Sequence, residues 1–131
     1  MLTKLLWLAL AGALGTLARF GLSEAVKGLI GRLGFATAMP FGTWAVNITG
    51  CFLFGLVLEY FEGRHFLRPD LSFILLVGFM GAFTTFSTYI FESAAFVRNG
   101  ETGLLLLNLL GQNLLGFLAL FAGLWLGRLI P

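Results

Sequence analysis

A chain of 131 residues that is 59% hydrophobic and only 11% charged, with a mean hydropathy of +0.98, lies outside the range of soluble domains, where about a quarter of residues are charged. A membrane span needs roughly 20 apolar residues, so this length holds about four spans and no soluble domain, which argues against a water-soluble enzyme. The net charge of +2, without Lys/Arg blocks or an acidic tail, offers nothing to nucleic acid.

The first apolar segment covers residues 2–30 and carries Arg19, Glu24 and Lys27 in its second half. Its opening, MLTKLLWLALAGALGTLA, has the lysine, apolar core and small residues of a signal peptide. A retained span is the favoured reading, because the apolar character runs past Ala13 and later segments are equally hydrophobic. GRLGFATAMPFG, with glycines, a proline and no helical period, predicts a connection. Thr43 is placed to cap the second span, residues 42–61. EGRHFLRPD is the most polar stretch and reads as a solvated turn; His65 has no cysteine partners there and reads as a surface residue. The third span covers residues 71–97, the Asn-Gly of RNGET marks a turn, and the fourth span covers residues 103–130. The expected fold is all-α, one transmembrane domain over residues 1–131. Cys51 is the only cysteine, so no intrachain disulfide forms.

Four spans put both termini on one side of the membrane. That side carries Lys4, Arg64, Arg68 and Arg128; the other carries Lys27, Arg32 and Arg98, with Arg19 partly buried toward it. Lys/Arg asymmetry normally sets orientation, and here there is almost none. A weakly biased chain inserting one way and a chain inserting both ways, pairing antiparallel, both fit this count.

The third span contains GFMGAFTTFSTY, in which glycines and hydroxyl residues lie between aromatic rings. Hydroxyls offer the backbone an alternative to the helical ladder, and non-helical backbone at membrane depth survives only when buried in protein or lining a water-filled path. A helix broken there would expose carbonyls at one half-helix end and amides at the other, which transporters use to hold cations and anions. Equally, Gly78 and Gly81 in an unbroken helix would let a neighbour approach closely. Phe83, Phe86 and Tyr89 recur every three residues, so one helix would align them. Their positive ring edges suit an anion, and the same spacing also suits simple packing.

In FGTWAVNITGCFLFG, the Asn47 amide supplies two donors and an acceptor that either replace water around an anion or cross-link helices, and Gly50 and Gly55 look like close-packing positions. Arg19 would cost roughly 2.5–3.5 kcal/mol if deep; it either snorkels to the interface or draws anions into a vestibule. Asn108 and Gln112 share a face of the fourth span beside Asn113, as a polar track or as a helix tie. Glu92, near the end of its span, reads as a solvated or paired carboxylate. There is no nucleophile–base pair, phosphate loop or His/Cys cluster, so no catalytic arrangement is expected.

GALGTLARF, FGTWAVNITGCFLFG and GFMGAFTTFSTY, in this order over three spans, resemble the Fluc-type fluoride channels, the CrcB family, and the likeness covers essentially the whole chain. The resemblance implies a passive fluoride-selective channel of the cell membrane that lowers cytoplasmic fluoride. It also implies an antiparallel dual-topology homodimer with two pores, in keeping with the balanced loop charges. The family's pore asparagine falls on Asn47 and its first pore phenylalanine on Phe86. The second falls on Tyr89, a departure that keeps a ring edge and adds a hydroxyl. Ser87 and Thr88 correspond to the family's hydroxyl residues, and Arg19 to its first-span arginine. The resemblance further implies four transmembrane helices with the third broken near its middle, and a structural sodium ion at the dimer centre held by backbone carbonyls of that broken helix, at Gly81 and Thr84. Two other readings compete with the channel. A small dual-topology multidrug-type exporter would want an acidic residue deep in the first span, where Glu24 is the only acid. A non-conducting structural subunit would use its small residues for assembly alone.

Overall fold

The computed structural model describes residues 1–34, 37–62 and 69–130. The turn expected over EGRHFLRPD, with His65, Arg64 and Arg68, therefore lies mostly outside the described residues, as do Phe35 and Ala36 of the first connection. All regular structure among the described residues is helical. Helix α1 is Leu2–Arg32 and α2 is Phe41–Glu62. Next comes α3, residues 69–83, whose middle, Ile74–Met80, is wound as a π-helix. Helix α4 is Phe86–Arg98. Last is α5, residues 102–129, with a second π-helical stretch at Leu107–Gly111. Together α3 and α4 make one interrupted span, so four segments are long and apolar enough to cross a membrane.

The ends of these helices follow from local chemistry. Gly100, at φ +71°, follows the C-cap Asn99 of α4. Its N–H donates to Val97 O at 3.1 Å and that of Glu101 to Phe96 O at 2.9 Å, the paired bonds of a Schellman motif. The turn read from Asn-Gly is therefore present. The cap assigned to Thr43 is not. Pro40, with its fixed φ, precedes α2 and its carbonyl accepts the Trp44 N–H at 3.0 Å, so the helix starts earlier and Thr43 sits inside its first turn. The Thr43 hydroxyl instead donates to Glu92 Oε1 at 2.7 Å.

Packing rests on small residues. In a bilayer, water does not drive helices together, so close backbone approach and dispersion must. Against α5, α2 makes the most extensive contact: a methyl group at Gly55 would overlap the Leu120 carbonyl oxygen, and one at Gly123 the Phe52 carbonyl oxygen. Gly15 of α1 lies against the Phe79 carbonyl in the same way, and Gly78 of α3 lies against Ala11 and Leu8. Val46, Met80 and Phe83 form the buried centre, with Ala18, Leu22, Leu53 and Phe79 around them. Most other large apolar side chains are exposed, including Trp7, Phe20, Phe117, Phe121 and Trp125, as a lipid-facing surface requires. Ion pairs gather at the two ends: Lys4–Asp70 at 2.7 Å and Arg128–Glu59 at 2.9 Å at one, Glu24–Lys27 at 2.8 Å at the other.

Candidate functional site

The third span breaks at Thr84 and Thr85, whose backbones are extended (φ −80°, ψ 160° and φ −148°, ψ 110°). Before the break, α3 closes on Met80 O, which accepts both the Thr84 N–H at 3.1 Å and the Thr84 hydroxyl at 3.0 Å. After it, Thr85 caps α4: its Oγ1 accepts the Thr88 N–H at 3.3 Å and donates to Thr88 Oγ1 at 2.8 Å. The Thr85 N–H donates to Asn47 Oδ1 at 2.9 Å. Two amides are thereby turned away from the carbonyls they would meet in a continuous helix, those of Gly81 and Thr84.

Asn47 clamps the break. Besides accepting from Thr85 N–H, its Nδ2 donates to Thr85 O at 3.1 Å and to Gln112 Oε1 at 2.6 Å. Gln112 Nε2 donates to Asn108 Oδ1 at 3.2 Å, and the Trp44 indole N–H donates to the same oxygen at 2.6 Å. Asn108 Nδ2 donates to Ser93 Oγ at 2.9 Å, which in turn donates to Tyr89 O at 2.8 Å. The Trp44 indole and the Thr85 amide can only donate, so they orient all three carboxamides between them. Asn108 is 0% exposed and Gln112 6%; a buried polar network of this kind is favourable because its members are satisfied.

Beside the clamp is a cavity of about 400 Å³, bounded by α2, the break, α4 and α5. Asn47, Thr84, Thr85, Tyr89, Gln112 and Asn113 supply its polar wall; Gly50, Cys51, Phe54, Phe86, Gly116, Phe117 and Leu120 supply the rest. Among the described residues, no ionisable acid or base other than the Tyr89 phenol and the Cys51 thiol lines it. The Phe86 and Tyr89 rings are 5.9 Å apart and tilted by 52°. Phe86 is 75% exposed and Tyr89 is buried, its hydroxyl donating to Leu109 O at 3.3 Å and accepting from Asn113 Nδ2 at 2.7 Å. The N-terminus of α4, the positive end of its dipole, begins at this wall.

The break divides the aromatic series expected along one helix face. Phe83, the last residue of α3, stacks on Phe79 at 5.9 Å and belongs to the buried centre, outside the cavity lining. Gly50 packs as expected, with the Thr84 methyl where its own side chain would be. Ser87 and Thr88 are on the exposed side of α4, and Gly81 is exposed with open space over its α-carbon. Arg19 is half-buried at the edge of the packed stripe of α1, makes no ion pair among the described residues and does not line the cavity. Glu92, expected to be solvated or paired, is half-buried. Thr43 holds one of its oxygens, and the other is shielded without a hydrogen-bond partner among the described residues.

Sequence reasoning left Asn108 and Gln112 open and passed over Trp44. Only the i,i+4 spacing of the two amides pointed to a shared face; the tie to Asn47 spans 65 residues and needs the fold. The arrangement sets neutral amides, two aromatic rings and a helix N-terminus around one space.

Residues 6–124 match the model of the family described as CrcB-like protein, Camphor Resistance (CrcB). The chain is 56% identical over 130 residues, 99% of its length and 100% of the relative's, to a protein of Solidesulfovibrio magneticus named fluoride-specific ion channel FluC. It is 47% identical over 130 residues, 99% and 100% of the two chains, to a protein of that name from Nitrosococcus oceani. A third of that name, from Maridesulfovibrio salexigens, is 48% identical over 127 residues, 97% of each chain.

Proposed function

The chain belongs to the CrcB-like family, and on that premise we propose that it is a fluoride-specific ion channel, a multi-pass membrane protein that lets fluoride leave the cytoplasm passively. The geometric observation that carries the reading is the neutral, largely apolar cavity, with the Asn47, Gln112 and Asn113 amides in its wall, beside a helix break within the membrane-spanning bundle. Fluoride is small and strongly hydrated, so a dry path must replace its water with several modest donors, and conduction needs each to be weak enough to let go. Asn47 supplies amide hydrogens and Phe86 and Tyr89 supply ring edges, with the Thr88 and Ser87 hydroxyls along the exposed side of α4. Phe83 acts through packing, holding the end of α3. Arg19 draws anions toward a vestibule. The exporter reading is not favoured: Glu24 pairs with Lys27 on the exposed side of α1.

The channel works as an antiparallel homodimer. Support comes from the break itself: the exposed Gly81, Ser87 and Thr88 would face lipid in a lone chain, and hydrocarbon offers their polar groups no partner. A second copy of the chain over Gly81 and α4 covers them. The balanced loop charges favour both orientations.

Sodium fits the residues present. Gly81 O and Thr84 O have lost their helical donors to Asn47 and Thr85, and neutral carbonyl oxygens suit a hard monovalent cation. Among the described residues no cluster of His, Cys, Asp or Glu competes for the role. Bound there, sodium would neutralise exposed carbonyl dipoles and tie two copies together.

Fluoride efflux from reconstituted liposomes, followed with a fluoride electrode against a chloride control, tests the function. Rapid fluoride release without chloride release is expected, sharply reduced in Phe86→Ile. No fluoride release from a well-folded preparation would refute it.

A further inference from the structure

The two N–H groups of Asn47 stand differently toward the cavity. One, with Oδ1, forms the two-bond clamp on Thr85, and that clamp alone fixes the carboxamide's position and orientation. The other goes to Gln112 Oε1 at 2.6 Å, and both side chains line the same cavity. The Gln112 bond is therefore not needed to hold Asn47 in place. It occupies a donor that would otherwise stand open to the cavity.

We propose that Gln112 is a competing acceptor, taking that Asn47 N–H when no anion is present and giving it up to fluoride, so that Gln112 sets how tightly the site holds its ion. The proposal rests on the reading of this cavity as the anion path. Gln112 is suited to exchange. Its own anchor is one 3.2 Å bond to Asn108 Oδ1, an oxygen already satisfied by the shorter 2.6 Å bond from Trp44. Releasing Gln112 thus leaves Asn108 and Trp44 paired. An amide oxygen and a fluoride ion ask the same thing of Asn47, a hydrogen to accept. A free amide donor there would bind a small hard anion strongly and keep it, whereas conduction needs an ion that leaves.

The test measures fluoride efflux from liposomes over a range of internal fluoride, for the wild-type chain, Gln112→Met and Gln112→Glu. Methionine has a similar length and no amide oxygen; glutamate keeps an acceptor and makes it stronger. The half-saturating fluoride concentration is expected to fall about fivefold in the methionine variant, the weight of one ordinary buried hydrogen bond, with a lower maximal rate because the ion leaves more slowly. In the glutamate variant it should rise. An unchanged or higher half-saturating concentration in Gln112→Met overturns the proposal. Should that variant not fold, an unchanged or lower value in Gln112→Glu overturns it equally. Absence of fluoride efflux from the wild-type chain would instead strike the channel reading, and this proposal with it.

Discussion

Removing the Asn47 carboxamide should loosen the helix break. Asn47→Leu deletes the bonds to Thr85 N–H, Thr85 O and Gln112 Oε1. Side-chain hydrogen bonds inside membranes average about 0.6 kcal/mol, so three amount to ~2 kcal/mol. The Thr85 amide is then orphaned, because the extended backbone at Thr84 and Thr85 keeps it from a helical acceptor, and an unsatisfied buried donor adds ~1–3 kcal/mol. A local loss of about 3 kcal/mol or more corresponds to roughly a hundredfold faster opening. Hydrogen exchange at the Thr85 amide in detergent or nanodiscs reads this directly. Asn47→Asp is the control: it retains an oxygen for the Thr85 N–H, so protection there should persist, while the donors to Thr85 O and Gln112 are lost and fluoride efflux with them. Equal protection of Thr85 in the leucine variant and the wild-type chain would refute the clamp as what holds the break.

A side chain at Gly123 has no room beside the Phe52 carbonyl and lies near Leu56 N, so Gly123→Val should separate α2 from α5 and abolish the monodisperse peak on size exclusion. Tyr89→Phe removes the hydroxyl bonds to Leu109 O and Asn113 while keeping the ring edge; stability should fall by about 1 kcal/mol and fluoride efflux should stay within a few-fold. A tenfold loss would make the hydroxyl part of the path. Glu24→Gln breaks only an exposed pair, worth ~0.3–0.5 kcal/mol, and should leave fluoride efflux unchanged, whereas a drug exporter would lose transport. Replacing sodium by N-methylglucamine on both sides should lower the thermal stability of the reconstituted protein if Gly81 O and Thr84 O hold the ion; identical melting would remove sodium from the site.

The four spans were legible because hydropathy over some 20 residues is a local property, as was the Asn-Gly stop that puts Gly100 at positive φ. Family motifs pointed to Asn47, Phe86 and Tyr89, and all three border one cavity. For Phe83 the spacing left a shared ring face and simple packing both open, and the interruption of the helix turns it into the core. Thr43 misled because a hydroxyl near a helix start has two uses, and Glu92, 49 residues away, took it.

By itself, then, the sequence determined what each stretch is able to be: apolar enough to span, small enough at chosen glycines to pack closely, and weak enough as a helix at Thr84–Thr85 to break. The residues of the motif alone left it even whether the helix breaks, since threonine hydroxyls satisfy either conformation; the family resemblance implied the break. Only the tertiary structure decided it, by setting the Asn47 carboxamide against the Thr85 backbone and tying that amide through Gln112 and Asn108 to Trp44. Backbone groups at membrane depth cannot turn to water. The conformation that prevails is the one for which a distant side chain supplies the missing partners, and that information resides in how the bundle sets α2 against the break.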